Sequence, residues 1–407
     1  MSERATQLLL IQRFYPTINN ESILEFHIPP NNRGNLQIQD AMLHFTTQVP
    51  TIAEVDVDLI PENLFGPKQF SSLEVRINNL AVTRRSCANE YYLGAYFQYL
   101  TNFATDYTST ACNLVGMFDN DNFSTAYLEA AQSADSRLFE KIIDRRQSVN
   151  ENYKFEIIMP IDCSIFYTGS PLPTNTPLDL SFERAMTKTS TILTKHPSTT
   201  NVDDIQKVLT LEDVYLTIPI VKDQQTLEME KDIVSRPIKL KFDDYDINRF
   251  NVPKGKTNVR LPNIITGQFP EKIYFGFIEL AGQIGNYETS STLFRLFEQI
   301  KATVYVDGNT VTGYPVTMNE DGVSQPYMKF LENSNKYLNC YSSKLISPKE
   351  FKLFNFFHSV SLDSNSNGTI TFDFDFENAV TKDLVLITCA VRQQTLAIDH
   401  YRNFEIL

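Results

Sequence analysis

Pro253-Lys254-Gly255-Lys256-Thr257 ends like a loop that cradles phosphate through backbone N–H groups and a lysine. Such a loop needs another glycine five residues before its Gly-Lys pair, and Phe250 stands there. The run reads as a solvated basic turn. Asp119-Asn120-Asp121-Asn122 and Asp243-Asp244-Tyr245-Asp246 offer the hard oxygen donors that calcium takes. Neither has the spacing or the distal glutamate of an EF-hand loop, so both read as Asx-rich turns and caps. The histidines are His27, His44, His196, His358 and His400, no two closer than 17 residues. Neither an H-E-x-x-H zinc helix nor a G-x-S-x-G nucleophile elbow occurs. The expectation is a chain with no catalytic residue, no metal site and no bound cofactor. A pair of carboxylates for glycan hydrolysis stays open, because its spacing is spatial rather than sequential.

Cys87, Cys112, Cys163, Cys340 and Cys389 are odd in number, and the nearest two are 25 residues apart. That spacing gives no C-x-x-C pair for zinc. They read as small buried hydrophobes in a reducing compartment. The 407 residues carry 36 Lys+Arg against 49 Asp+Glu, a formal charge of −13. Division at residue 225 leaves −10 before it and −3 after it. Neither part has the positive field that gathers phosphates, so strong direct nucleic-acid binding is not expected. No apolar run approaches the ~18–20 residues of a membrane span. Leu8–Ile11 is too short for the apolar core of a secretion signal. Trp is absent, whereas Phe and Tyr number 29 and 19.

The elements that must carry these residues are mostly strands. In 371–377, Phe372, Phe374 and Phe376 share one face, and Asp373, Asp375 and Glu377 share the other. That is the period of a half-buried strand. Residues 304–311 read as a hairpin about Asp307-Gly308, a pair that tolerates the positive φ of a tight turn. Helical patterning is confined to 89–107, 124–147 and 327–337. Residues 168–177 and 187–204 read as loops.

An internal repeat organises these elements. Leu178-Asp179-Leu180-Ser181-Phe182-Glu183-Arg184-Ala185 matches Phe372-Asp373-Phe374-Asp375-Phe376-Glu377-Asn378-Ala379 at an offset of 194. Residues 213–222 lie on 383–392 at an offset of 170, which leaves 24 extra residues in the first copy, placed in loop 187–204. Residues 74–79 resemble 303–308 at 229, and 26–29 resemble 259–262 at 233. The order is the same in both halves. A polar connector over 223–236 joins them. Strands 213–222 and 384–391 are apolar on both faces, which predicts a cover on the outer face from the sister half or a neighbouring subunit. The residues therefore predict an all-β chain of two tandem antiparallel β-sandwiches with inserted helices and long loops.

Three features carry a resemblance to a known family. The tandem duplication is one. The aromatic stretch Ser86–Leu100 is another, with Tyr91-Tyr92-Leu93 where the family often has Tyr-Pro-Tyr. The third is Leu211-Glu212-Asp213-Val214-Tyr215-Leu216, which looks like the closing strand of the family's first jelly roll. Over roughly 20–400 the chain resembles double jelly-roll major capsid proteins of the Polinton/Maverick and adintovirus type. The resemblance implies two tandem jelly rolls, over 1–225 with helical insertions near 89–107 and 124–147, and over 226–407. It also implies a homotrimer of pseudo-hexameric outline. Such capsomers tile an icosahedral DNA-containing shell with neighbouring capsomers and a penton protein, in a virion assembled inside the host cell. A non-viral tandem β-sandwich lectin or adhesion protein and a glycan-acting enzyme are the alternatives.

Overall fold

The computed structural model describes residues 8–48, 51–52, 57–62, 64–83, 91–102, 154–185, 191–193, 209–222, 224–285, 290–318, 322–334, 348, 351–352 and 355–407. Eight principal strands frame the sandwich of the first half: β1 (Leu8–Phe14), β2 (Ile23–Ile28), β3 (Met42–Gln48), β4 (Phe70–Ile77), β5 (Leu80–Ala81), β6 (Lys154–Pro160), β7 (Leu178–Arg184) and β8 (Leu211–Lys222). They form two antiparallel sheets, β1-β8-β3-β6 and β2-β7-β4-β5. The second half adds β9 (Ile238–Val252), β10 (Asn258–Gln268), β11 (Lys272–Glu279), β12 (Gln299–Val306), β13 (Asn309–Thr310), β14 (His358–Ser361), β15 (Asn367–Phe376) and β16 (Leu384–Ile398). Its sheets run β9-β16-β11-β14 and β10-β15-β12-β13. Each position is the first-half position plus eight. In both halves the first strand pairs with the last and the second with the seventh, which is the jelly-roll winding.

Alternation decides which faces form the cores. Leu178, Leu180 and Phe182 on β7 are buried, as are Phe372, Phe374 and Phe376 on β15. Asp373 and Asp375 point the other way and accept from Asn258 Nδ2 at 3.0 and 2.7 Å. Between the second pair of sheets the rings interdigitate: Phe275 stacks on Phe372 at 4.2 Å, and Phe277 meets Phe374 edge-on at 4.8 Å. Phe45 and Phe70 do the same in the first half, edge-on at 6.0 Å. Each fully buried aromatic of this kind stabilises its sandwich by ~1.5–3 kcal/mol relative to exposure.

The repeat falls on equivalent strands in all four segments. β7 pairs Leu178 with Ile28 on one side and Ile77 on the other; β15 pairs Phe372 with Leu261 and Val304. The Ile28–Leu261 match is the 233 offset of the sequence. The Ile77–Val304 match falls two residues short of the 229 offset, which instead superposes the hairpin tips Asn78-Asn79 and Asp307-Gly308. A slip of two keeps every side chain on its own face. All four tip residues have positive φ, between 51° and 64° for the asparagines and 48° and 81° for Asp307 and Gly308.

Two elements refine the reading of the sequence. The connector is a helix, α2 (Gln224–Ser235), following α1 (Tyr91–Asn102) and preceding α3 (Ser324–Asn333). Among its described side chains Ile233 is the one deep anchor, so a mostly polar composition hid a helix held along a narrow stripe. Loop 187–204 contains a strand, Thr191–Leu193, paired with Val57–Pro61, which also pairs with Thr51–Ile52. Thr-Ile-Leu is too short to show an alternation by itself. Helical segment 124–147 lies outside the described residues.

Candidate functional site

The sequence motifs that hinted at chemistry are dispersed. Lys254-Gly255-Lys256 forms the exposed turn between β9 and β10, which belong to different sheets. Gly255 has φ +85°, its N–H donates to Val380 O at 2.7 Å, and Lys254 N–H donates to Asp383 Oδ1 at 2.9 Å. The turn's amides thus bind the protein itself, and a strand follows where a phosphate loop has a helix. Asp243–Asp246 runs along β9, so Asp243 falls on one face and Asp244 and Asp246 on the other. Asp244 is buried and accepts from Gln394 Nε2 at 2.9 Å. Asp119–Asn122 lies outside the described residues. His27 meets Asp179 at 2.5 Å on an exposed sheet face. His358 is enclosed between Phe275 and Phe356, its Nε2 3.2 Å from Gln299 Oε1, and burial pushes its pKa down to about 3. His400 lies against Tyr401, and His196 is outside the described residues. Burial raises the Cys163 thiol to about 12 and the Cys389 thiol well above its usual value, so both stay protonated. Cys87, Cys112 and Cys340 lie outside the described residues. Among the described residues no three His, Cys, Asp or Glu converge as metal ligands, and no helix is long and apolar enough to cross a membrane.

What the chain does build is a seam. On sheet β9-β16-β11-β14, Tyr274, Gly276 and Ile278 of β11 point away from the sandwich core, opposite Cys389, Ile387 and Val385 of β16. This outer face is covered. The ring of Phe97, from α1 of the first half, stacks on Tyr274 at 6.2 Å and approaches Phe294 and Phe357 at 5.9 and 5.2 Å. Tyr96 stacks on Phe294 at 5.6 Å, and its hydroxyl donates to Asn355 Oδ1. Phe330 of α3 completes the cluster 6.1 Å from Tyr274. A Cβ on Gly276 would stand 2.6 Å from Phe356 O, so only glycine lets this layer approach the sheet.

Polar contacts pin the seam at three places. Lys68 and Glu62 form an ion pair of 2.6 Å, with both side chains essentially inaccessible. Ser290 donates to Glu62 Oε1, and Ser291 and Thr292 reach the same carboxylate at 3.4 and 3.3 Å. The Lys68 ammonium lies over the Tyr92 ring at 5.5 Å, and Gln283 Nε2 donates to Tyr92 OH at 2.5 Å. At the second place, Arg402 pairs with Glu230 of α2 at 2.6 Å and donates to Thr174 O, while Asn78 Nδ2 donates to Arg402 O at 3.1 Å. At the third, the hydroxyls of Thr101 on α1 and Tyr245 on β9 meet at 3.2 Å; Asp162, which accepts from Tyr167 and Tyr99 hydroxyls at 2.7 and 3.2 Å, lines with Asp244 and Tyr245 a small cavity of about 40 Å³. Burial raises Asp162 to about 7. The aromatic richness of 91–107 announced a buried helix; nothing local announced Glu62, Lys68 or their hydroxyl partners more than 220 residues away.

The matching face of the first half, on sheet β1-β8-β3-β6, is different. Ile11 of β1 and Tyr15, the residue just after β1, are 61% and 67% exposed. Tyr215 is half-buried, 6.5 Å from Tyr15, with the Arg13 guanidinium 4.8 Å over its ring. His44 stacks on Tyr215 at 4.4 Å with 12° between the planes.

No family model matches the sequence, and no curated protein matches it. Solved structures do. A chain of the "3.5 A resolution structure of the Sputnik virophage by cryo-EM" aligns at TM-score 0.62 and 12% identity, covering 100% of this chain and 89% of that one. The "PBCV-1 virus capsid, quasi-atomic model" aligns at 0.57 and 10%, covering 98% and 96%. The "mavirus major capsid protein" aligns at 0.54 and 11%, covering 98% and 90%. At such identities the likeness is one of fold, and it spans both halves together: the chain is built as a double jelly roll, like these solved viral structures.

Proposed function

We propose that this chain is a major capsid protein whose homotrimers, pseudo-hexameric in outline, tile an icosahedral shell around DNA. The observation that supports it best is the fold: two jelly rolls of one strand order, joined along a continuous aromatic seam. Three such chains in a ring present six sandwiches of near-equal shape. In this reading the first jelly roll is 1–225, with helical insertions near 89–107 and 124–147, and the second is 226–407. Neighbouring capsomers and a separate vertex protein are its partners, in a virion assembled inside the host cell. Three chains carry a formal −39 (3 × −13), so the shell encloses nucleic acid without gripping it. A basic core protein or a packaging motor supplies what the shell lacks.

Light scattering on the eluting full chain tests this. Three chains of 46.6 kDa give ~140 kDa, and negative-stain images should show hexagonal outlines. A strict monomer at every salt and protein concentration would rule the reading out.

A further inference from the structure

The two halves repeat a strand order without repeating its surroundings. On the second half the outer face of the first-and-last-strand sheet is sealed, with Tyr274, Ile387 and Cys389 at 2% exposure or less. On the first half, Pro219 and Val221 are buried beside α2, but Ile11, Tyr15 and Tyr215 leave the rest of that face open among the described residues. The chain itself shows what covers such a face, namely the adjoining jelly roll. Repeating that contact between copies puts the second half of one chain on the first half of the next. A head-to-tail contact of this kind closes into a ring when its rotation is a whole fraction of a turn, as the proposed trimer requires.

His44 stands in the middle of the open face. Its Nε2 is 3.0 Å from Thr217 Oγ1, and that hydroxyl donates to Met42 O at 3.3 Å. The Thr217 oxygen is therefore an acceptor for His44, and the imidazole proton belongs on Nε2. Nδ1 is buried and has no acceptor. A second proton would go there, making a cation with one unsatisfied donor. The charged and titratable groups around it are Arg13 from β1 and Tyr15 just after it, Lys154 and Glu156 from β6, and Glu212, Asp213 and Tyr215 from β8. Lys154 and Glu212 satisfy each other at 2.7 Å. Arg13 opposes the proton and Glu156 favours it; burial outweighs both and lowers the His44 pKa.

We propose that a second copy of this chain docks on this open face, second half foremost, and that proton uptake by His44 releases it. The inference rests on the ring-forming reading above. Docking removes the water that would solvate an imidazolium and leaves Arg13 beside it, so the docked state prefers the neutral ring. Association is then linked to proton release, and acid weakens it. One proton per contact raises the midpoint concentration for assembly up to tenfold per pH unit below the His44 pKa.

The test is light scattering on the full chain over a concentration series from pH 8 to pH 5. Wild type should dissociate as pH falls. His44→Gln, neutral throughout, should associate with a flat profile. His27→Gln, on the opposite sheet, should follow wild type. Tyr15→Asp should remove association at every pH without changing the melting temperature, because Tyr15 is exposed. Equal pH slopes for wild type and His44→Gln overturn the role of His44, and persistent association of Tyr15→Asp overturns the surface. No assembly by wild type at any pH overturns the ring reading instead. Should His44→Gln misfold, selective imidazole labelling decides: a His44 titration unchanged between dilute and assembled protein defeats the proposal.

Discussion

His358 shows how one side chain ties the fold to solution conditions. Its ring is part of the second aromatic core, and burial holds its pKa at about 3 against an ordinary 6.5. An unfolded chain takes up that proton below 6.5, and the folded chain refuses it until about 3. The stability this neutral histidine represents is therefore complete above pH 6.5 and falls on acidification by ~1.4 kcal/mol per pH unit within that window. Asp162 works in the opposite sense, since its raised value makes its contribution largest in acid and lost as pH rises through about 7. The two partly cancel in the whole chain, so a variant must separate them. His358→Gln keeps a polar group near Gln299 and removes the titration. Denaturant melts at pH 7 and pH 5 should show wild type losing ~2 kcal/mol more than the variant. Identical losses would mean that the ring is not excluded from protonation. Histidines scattered along a sequence do not reveal this, because only packing distinguishes His358 from exposed His27.

Helix α1 shows the same dependence at the scale of an element. Its aromatics identify it as buried, but not which sheet it buries against. Tyr91 packs on Phe182 of its own sandwich at 6.0 Å, whereas Phe97 reaches Tyr274 of the other. Phe97→Ala removes a fully buried ring from a layer that Gly276 already draws close to the sheet. The expected cost is ~3–5 kcal/mol. Urea unfolding followed by tyrosine fluorescence should report it, with a second transition appearing if the halves uncouple. A change under about 1 kcal/mol would show that the layer can collapse around the gap. Strands were easier to read than this helix contact. Alternation on β7 and β15 is a two-residue pattern visible in either segment alone, and the hairpin tips announce themselves through Asn and Asp-Gly. Thr191–Leu193 and α2 lacked such local signals.

For the whole molecule, the seam makes the halves unequal partners. The second jelly roll borrows its outer cover from the first, and Glu62 finds its hydroxyl donors across the same boundary. Residues 226–407 expressed alone should expose Tyr274, Phe294 and Phe357 and aggregate or bind a hydrophobic dye. Co-expression with 1–225 should restore a soluble pair. A soluble, dye-silent second half by itself would show that the seam is not needed for its folding. The amino-acid sequence alone determined the duplication, the strand periods and the acidic charge, because each is written in residues near one another or in plain counts. Only the tertiary structure decided which outer face is sealed and which is open, and where Glu62, Lys68 and His44 stand. Those outcomes depend on contacts between elements far apart in the chain, and no local pattern encodes which distant surface will arrive.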